Sequence, residues 1–171
     1  MKNQLGFPPV HATTVLGVHH KGETVLAADG QATMGNTVVK GNVVKVRKLE
    51  PYGILTGFAG GTADAFALLE RFEDKLSQFS GNLKRASIEL GKDWRTDRML
   101  RRLEAMLIVM DRDNGLILSG NGDVLEPEEG IYSIGSGSTY AMSAAAALKR
   151  HASHLSAREI VEEAMTIAAD I

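Results

Sequence analysis

The chain has 171 residues, a length typical of one domain that can bury its own core. Apolar residues make up 44% and charged residues 23%, which excludes a disordered or fibrous chain. The formal charge of -2 gives no basic field for nucleic acid, and no apolar stretch approaches the roughly 18 residues of a membrane helix. Cysteine is absent, which excludes disulfides, thiolate metal sites and a thiol nucleophile and is consistent with the reducing cytoplasm.

Hydrophobic periodicity predicts four blocks in the order strands, helices, strands, helices. Strand-like runs punctuated by glycines occupy residues 13–19, 24–29, 38–39, 43–49 and 54–59. Helices are predicted at 62–79 and 83–102, and further strands at 105–110, 116–119 and 131–134. One helix is predicted to end near His151, and the last begins at Ser156, where Glu159 completes a capping box. This order favours antiparallel sheet layers with helices packed outside, and not a doubly wound parallel sheet.

The N-terminus reads MKNQLGFPPVHA, which we interpret as a leader or a loose arm at residues 1–12, ahead of a domain at 13–171. It has one lysine and a Pro8-Pro9 interruption, so it is not a secretory signal. Thr13 opens the first strand, and strand propensity alone would explain a threonine there. Three features favour a functional interpretation: the leader ends in a small residue, Asp29 ends the neighbouring strand, and Lys45 follows in a glycine-marked segment.

Other motifs have ordinary structural interpretations. The helix at 83–102 carries seven Lys or Arg residues interleaved with acids, which is typical of a salt-bridged, solvated face and favours a protein partner over nucleic acid. GFAGGT at 57–62 and GSGS at 135–138 join strands to helices, either as tight turns or as rows of N–H groups that bind an anion. His151 and His154 lack an evident third metal ligand.

Several blocks together resemble the HslV (ClpQ) family, the proteasome-like peptidases of the bacterial HslUV protease. The blocks are TTVLGV from Thr13, DGQATMGNTVVKGNVVKVRKL from Asp29, TGFAGGTADAF from Thr56, KDWRTDRMLRRLEA from Lys92, GNGDV from Gly120, IGSGS from Ile134 and SAREIVEEAMTIAADI from Ser156. They span residues 13–171, and GFAGGTADAF and KDWRTDR are highly specific.

The resemblance implies an α+β fold, the four-layer αββα N-terminal-nucleophile sandwich with two antiparallel sheets between helix layers. It also implies the proteolytic subunit of a cytoplasmic ATP-dependent protease, a threonine endopeptidase assembled as two stacked hexameric rings. The partner would be HslU, an ATPase that unfolds proteins and feeds them in, while this subunit would bind no nucleotide.

The resemblance further implies roles for five residues. Thr13 would be the nucleophile once it is the first residue, and its free amine would be the base. Lys45 would lie beside Thr13, and Asp29 would pair with Lys45. The N–H of Gly57 would bind the oxyanion, and Ser136 would hydrogen-bond the Thr13 amine or a bridging water. The leader would be removed by self-attack of Thr13 or by a host peptidase.

A structural sodium ion is also implied, held by backbone carbonyls after the last helix. Ala169 occupies the first of these positions, where glycine is usual, and we expect the remaining ligands to lie beyond the end of this chain. The family continues with a further strand and tail, so part of the second sheet is expected to be missing. Two alternatives remain: an N-terminal-nucleophile amidase acting on a small molecule, and an inactive ring subunit.

Overall fold

The computed structural model describes residues 13–34 and 37–171, so the predicted leader at residues 1–12 lies outside the described residues. The strands are β1 Val15–His20, β2 Glu23–Ala28, β3 Ala32–Met34, β4 Thr37–Lys40, β5 Val46–Leu49, β6 Ile54–Gly60, β7 Ala105–Met110, β8 Gly115–Leu118, β9 Val124–Leu125 and β10 Ile131–Ile134. The helices are α1 Thr62–Gln78, α2 Leu83–Thr96, α3 Ser138–His151 and α4 Ala157–Asp170. Short 3-10 helices span Glu50–Tyr52 and Leu100–Arg102.

The strands form two larger antiparallel sheets and one hairpin. One sheet has the order β10-β1-β2, the other has the order β5-β6-β7-β8-β9, and β3 pairs with β4. In the first sheet, Val15 lies opposite Ala28 on one side and Ile134 on the other. β1 is therefore the central strand, and the residue that precedes it is positioned from both sides.

Three hydrophobic clusters define the layers. One lies between the five-stranded sheet and helices α1 and α2, and another lies between the three-stranded sheet and helices α3 and α4. The third fills the gap between the two sheets. Strand β7 shows how this arises, because Leu107 and Val109 face the helices while Ile108 and Met110 face the other sheet. The predicted αββα sandwich is confirmed.

Helix α2 is shorter than the predicted helix at 83–102. It ends at Thr96, because the Asp97 carboxylate accepts hydrogen bonds from the backbone N–H groups of Met99 and Leu100 at 2.7 and 3.4 Å. Such local capping offers the backbone an alternative to continuing the helix. The capping box predicted at Ser156 and Glu159 is confirmed at the start of α4.

The charged face of α2 is a solvated network of ion pairs, as the sequence predicts. Arg85 and Lys92 both pair with Glu89, at 3.2 and 2.9 Å. The hydrogen bond from Lys92 holds the pKa of Glu89 below its usual value. No helix within residues 13–34 and 37–171 is long and apolar enough to cross a membrane.

The packing of α1 against the five-stranded sheet can be tested with two of its phenylalanines. Phe72 is fully buried, whereas Phe66 is 38% exposed although both belong to a row of apolar residues spaced three and four apart along α1. We expect Phe72→Ala to lower the free energy of unfolding by about 3–5 kcal/mol, because the cavity cannot collapse fully. Phe66→Ala is the matched control with a clearly smaller loss, measured by denaturant unfolding. Equal losses would contradict this packing.

Candidate active site

Thr13 lies two residues before the start of β1 and is held through the backbone. The next residue, Thr14, donates its N–H to the Asp29 carboxylate, and its carbonyl accepts the N–H of Asp29 at 3.0 Å. On the other side, the carbonyl of Thr13 accepts the N–H of Gly137 at 3.2 Å. The start of β1 is thus fixed by the end of β2 and by the loop between β10 and α3.

The GSG loop at 135–137 approaches the Thr13 backbone more closely than any side chain would permit. Gly135 has φ +95°, and a Cβ at this position would lie 2.1 Å from the Thr13 carbonyl oxygen. Only glycine fits both the backbone conformation and the space. Of the two interpretations left open for this loop, the structure favours a tight turn, packed against Thr13.

The Thr13 side chain faces a buried cation. Lys45 is 6% exposed and donates to Asp29 Oδ1 at 2.5 Å and to Thr13 Oγ1 at 3.4 Å. The same Oδ1 accepts the N–H of Gln31 at 3.0 Å. An ammonium beside a hydroxyl favours the ionised oxygen, so this arrangement can activate a nucleophile. The structure brings Thr13, Lys45 and Asp29 together as the sequence analysis expects.

The N–H of Gly57, the expected donor to the oxyanion, does not point toward Thr13. It is inside β6, opposite Val46 of β5 and Ile108 of β7. Phe58 donates its N–H to the backbone carbonyl of Lys45, on the β5 side, at 3.1 Å. Since successive N–H groups of a strand point in opposite directions, the N–H of Gly57 points into the ladder with β7. It is therefore not available to an oxyanion beside Thr13.

The glycine at position 57 instead lets the two sheets come together. A Cβ there would lie 2.7 Å from Cγ1 of Val15 and 3.2 Å from Cδ2 of Leu26, both of which belong to the facing sheet. A side chain at this position would push β1 away from β6. Gly57 thus sets the sheet spacing beneath the site.

Of the two glycines in β6, Gly60 is the one that lies beside Thr13. It lines two cavities that Thr13 also lines, one of 120 Å³ with Lys45 and one of 330 Å³ with Ser136. By the same alternation its N–H points away from β7. Since β5 begins at Val46, opposite Gly57, it does not extend alongside Gly60. With φ +114°, a Cβ would lie 2.3 Å from the Glu104 carbonyl oxygen. Motif spacing gave no means of choosing Gly60 over Gly57.

Ser136 and Ala169 differ in their relation to this centre. Ser136 is exposed in the larger cavity, and its hydroxyl makes no hydrogen bond within the part of the chain that the structure describes. Ala169 lies in the last turn of α4, where carbonyls have no intrahelical partner. Its oxygen can therefore serve as one ligand, but one carbonyl does not constitute a sodium site.

Comparison with known proteins places the chain in a family. The proteasome subunit family model matches residues 10–171. The ATP-dependent protease subunit HslV of Cytophaga hutchinsonii is 65% identical over 95% of this chain and 90% of its own. The protein of the same name from Amoebophilus asiaticus is 63% identical, with the same coverage of each chain. The chain belongs to the proteasome-like HslV family.

A solved structure agrees with this assignment at the level of the fold. The crystal structure of eukaryotic HslV from Trypanosoma brucei superposes with a TM-score of 0.88 at 45% identity. The alignment covers 92% of this chain and 91% of that one. The resemblance stated from the sequence is thus confirmed.

The pairing of Lys45 with Asp29 can be tested by removing the carboxylate. We expect Asp29→Ala to lower the free energy of unfolding by about 3 kcal/mol, because a buried ammonium loses its partner. Glu162→Ala, which removes the exposed pair with Arg158, is the matched control and should change stability far less. Denaturant unfolding of each variant measures the difference, and losses of similar size would contradict a structural role for the buried pair.

Proposed function

We propose that this chain is the proteolytic subunit of an ATP-dependent protease, an N-terminal threonine peptidase that degrades proteins unfolded by HslU. The observation that carries the proposal is the Thr13 hydroxyl, 3.4 Å from a buried Lys45 that is itself paired with Asp29. Membership of the HslV family supports the reaction class and the ATPase partner. The cytoplasm is the compartment we propose, since the partner consumes ATP.

The reaction begins when Thr13 has become the first residue. While Ala12 is attached, the Thr13 nitrogen is an amide and cannot accept a proton. The freed α-amine, with an ordinary pKa of about 7.7–8.0, is partly neutral near pH 7 and removes the hydroxyl proton. Thr13 Oγ then attacks the substrate carbonyl, and Lys45 stabilises the developing negative charge on Oγ.

The tetrahedral intermediate needs a donor for its oxyanion, and we assign this role to the N–H of Gly60 in place of Gly57. Gly60 borders both cavities at Thr13, and its N–H is directed away from the β7 ladder. The protonated amine next passes its proton to the leaving nitrogen as the carbon–nitrogen bond breaks. Water then hydrolyses the Thr13 ester by the reverse use of the same groups.

Ser136 and Ala169 complete the proposal. The Ser136 hydroxyl, exposed in the cavity beside Thr13, would orient the amine or a bridging water. The Ala169 carbonyl would supply one ligand to a structural sodium ion, and no step of the reaction passes through that ion. Two stacked hexameric rings are the assembly we propose from the family resemblance.

Thr13 itself provides the first test. We expect Thr13→Ala to abolish hydrolysis of a peptide with a coumarin leaving group, in the presence of HslU and ATP, because the substitution removes the hydroxyl that attacks the substrate carbonyl. Thr13→Ser should retain measurable activity, and Thr166→Ala on the exposed face of α4 is the control. N-terminal sequencing should show Thr13 as the first residue of the active protein. Activity in Thr13→Ala would refute the mechanism.

The oxyanion assignment has a separate structural test. In a crystal structure with a peptide aldehyde bound covalently to Thr13, we expect the hemiacetal oxygen to lie about 2.7–3.1 Å from the Gly60 nitrogen. The Gly57 nitrogen should remain bonded to β7. An oxygen bound by another donor, with the Gly60 N–H unoccupied, would contradict the assignment.

A further inference from the structure

The two cavities at Thr13 differ in chemistry and lie on different sides of the residue. The smaller one contains Lys45, Gln31 and Val43, so it borders the Thr13 side chain. The larger one contains Glu104, Ala105, Met106 and Ser136. A peptide that crosses Thr13 places its acyl residues in one direction and its leaving residues in the other, so the sides must be distinguished.

The backbone direction of Thr13 identifies the leaving side. Thr14 directs both its N–H and its carbonyl toward Asp29. Adjacent strand residues direct these groups to opposite sides, and the Thr13 carbonyl indeed bonds Gly137. The Thr13 nitrogen therefore lies on the side of the GSG loop, next to the larger cavity. That nitrogen protonates the leaving amine, so the leaving fragment must occupy the same side.

The walls of the larger cavity combine apolar surface with one negative charge. Met106 is half-buried and lies opposite the buried Ala59 in the β6–β7 ladder, and both side chains pack toward the facing sheet. Glu104 is the one charged residue among the described residues that line the cavity. No ion pair among the described residues uses its carboxylate.

The backbone holds Glu104 in place. Its N–H donates to Asp64 Oδ2 at 3.0 Å, and its carbonyl accepts the N–H of Gly61 at 3.2 Å. Asp64 belongs to the first turn of α1, so Glu104 is tied to the segment that carries Gly60 and Gly61. The backbone of Glu104 is therefore held at the edge of the cavity, and the Asp64 carboxylate adds further negative charge nearby.

We propose that the larger cavity binds the first residue of the leaving fragment and that Glu104 makes it select lysine or arginine over aspartate or glutamate. A long aliphatic stem packs along Met106 and Ala59, which lie side by side on the same face of the sheet, while its cationic end meets the Glu104 carboxylate. An acidic residue at the same position meets like charge. The proposal rests on the proposed peptidase function and specifies the substrates which that site prefers.

The test compares peptides that differ only in this residue. Internally quenched peptides with identical acyl residues carry lysine, glutamine or glutamate as the first leaving residue, and kcat/KM is measured with HslU and ATP. We expect the lysine-to-glutamate ratio to exceed one, and Glu104→Gln to lower it about three- to ten-fold. Glu163→Gln on the exposed face of α4 is the matched control and should leave the ratio unchanged.

A second measurement needs no variant. Raising the salt concentration for the unmodified protein should reduce the lysine-to-glutamate ratio toward one, because screening weakens an exposed charge interaction. The glutamine peptide should respond less. If Glu104→Gln fails to assemble, this salt dependence decides the question.

The outcomes separate the two proposals. Suppose that a coumarin substrate is cleaved in a Thr13-dependent manner, but the lysine-to-glutamate ratio of kcat/KM is near one and changes neither with salt nor in Glu104→Gln. This result overturns the proposed selectivity and leaves the peptidase function supported. Absence of any Thr13-dependent cleavage overturns the peptidase and the selectivity with it. A ratio that falls in Glu104→Gln but not in Glu163→Gln supports the assignment of the cavity.

Discussion

The buried ion pair of Lys45 and Asp29 joins the two sheets at the point where Thr13 emerges. Asp29 follows β2 of the three-stranded sheet, and Lys45 precedes β5 of the five-stranded sheet. An ammonium that is 6% exposed would be costly without a partner, and the carboxylate supplies it. Because the same carboxylate accepts the backbone N–H groups of Thr14 and Gln31, one group sets the position of the strand, the cation and the nucleophile.

Close approach of backbones is the second constraint on the site. A Cβ at position 57 would lie 2.7 Å from Val15 of the facing sheet. At positions 60 and 135 it would lie 2.3 Å from the Glu104 carbonyl oxygen and 2.1 Å from the Thr13 carbonyl oxygen. The three glycines act at different places. Gly57 allows the sheets to pack, Gly60 allows the end of β6 to lie against β7, and Gly135 allows the loop after β10 to reach Thr13. The site can form because, at these three glycines, the backbone segments pack together with no side chain between them.

Thr13 separates two kinds of contact. Its side chain faces Lys45, whereas its main chain faces the loop that contains Ser136. In a peptidase whose base is the main-chain amine, this division separates stabilisation of the nucleophile from protonation of the leaving group. It also separates the two cavities, so that substrate preferences on the two sides of the cleaved bond depend on different residues.

The amino-acid sequence predicts most strands and helices, and its resemblance to the HslV family predicts that Thr13, Lys45 and Asp29 meet. These are carried by local periodicity and by specific motifs, which need no knowledge of distant contacts. The assembled sandwich was needed to show that Phe66 is partly exposed and that Gly60 rather than Gly57 lies beside Thr13. The end of helix α2 at Thr96, by contrast, follows from the local hydrogen bonds of Asp97, which hydrophobic periodicity does not detect. Which N–H groups of a strand are paired depends on the strands on either side of it, and for β6 these are β5 and β7, which is distant in sequence. The same dependence explains the larger cavity, since its walls come from four segments that meet only in the folded sandwich.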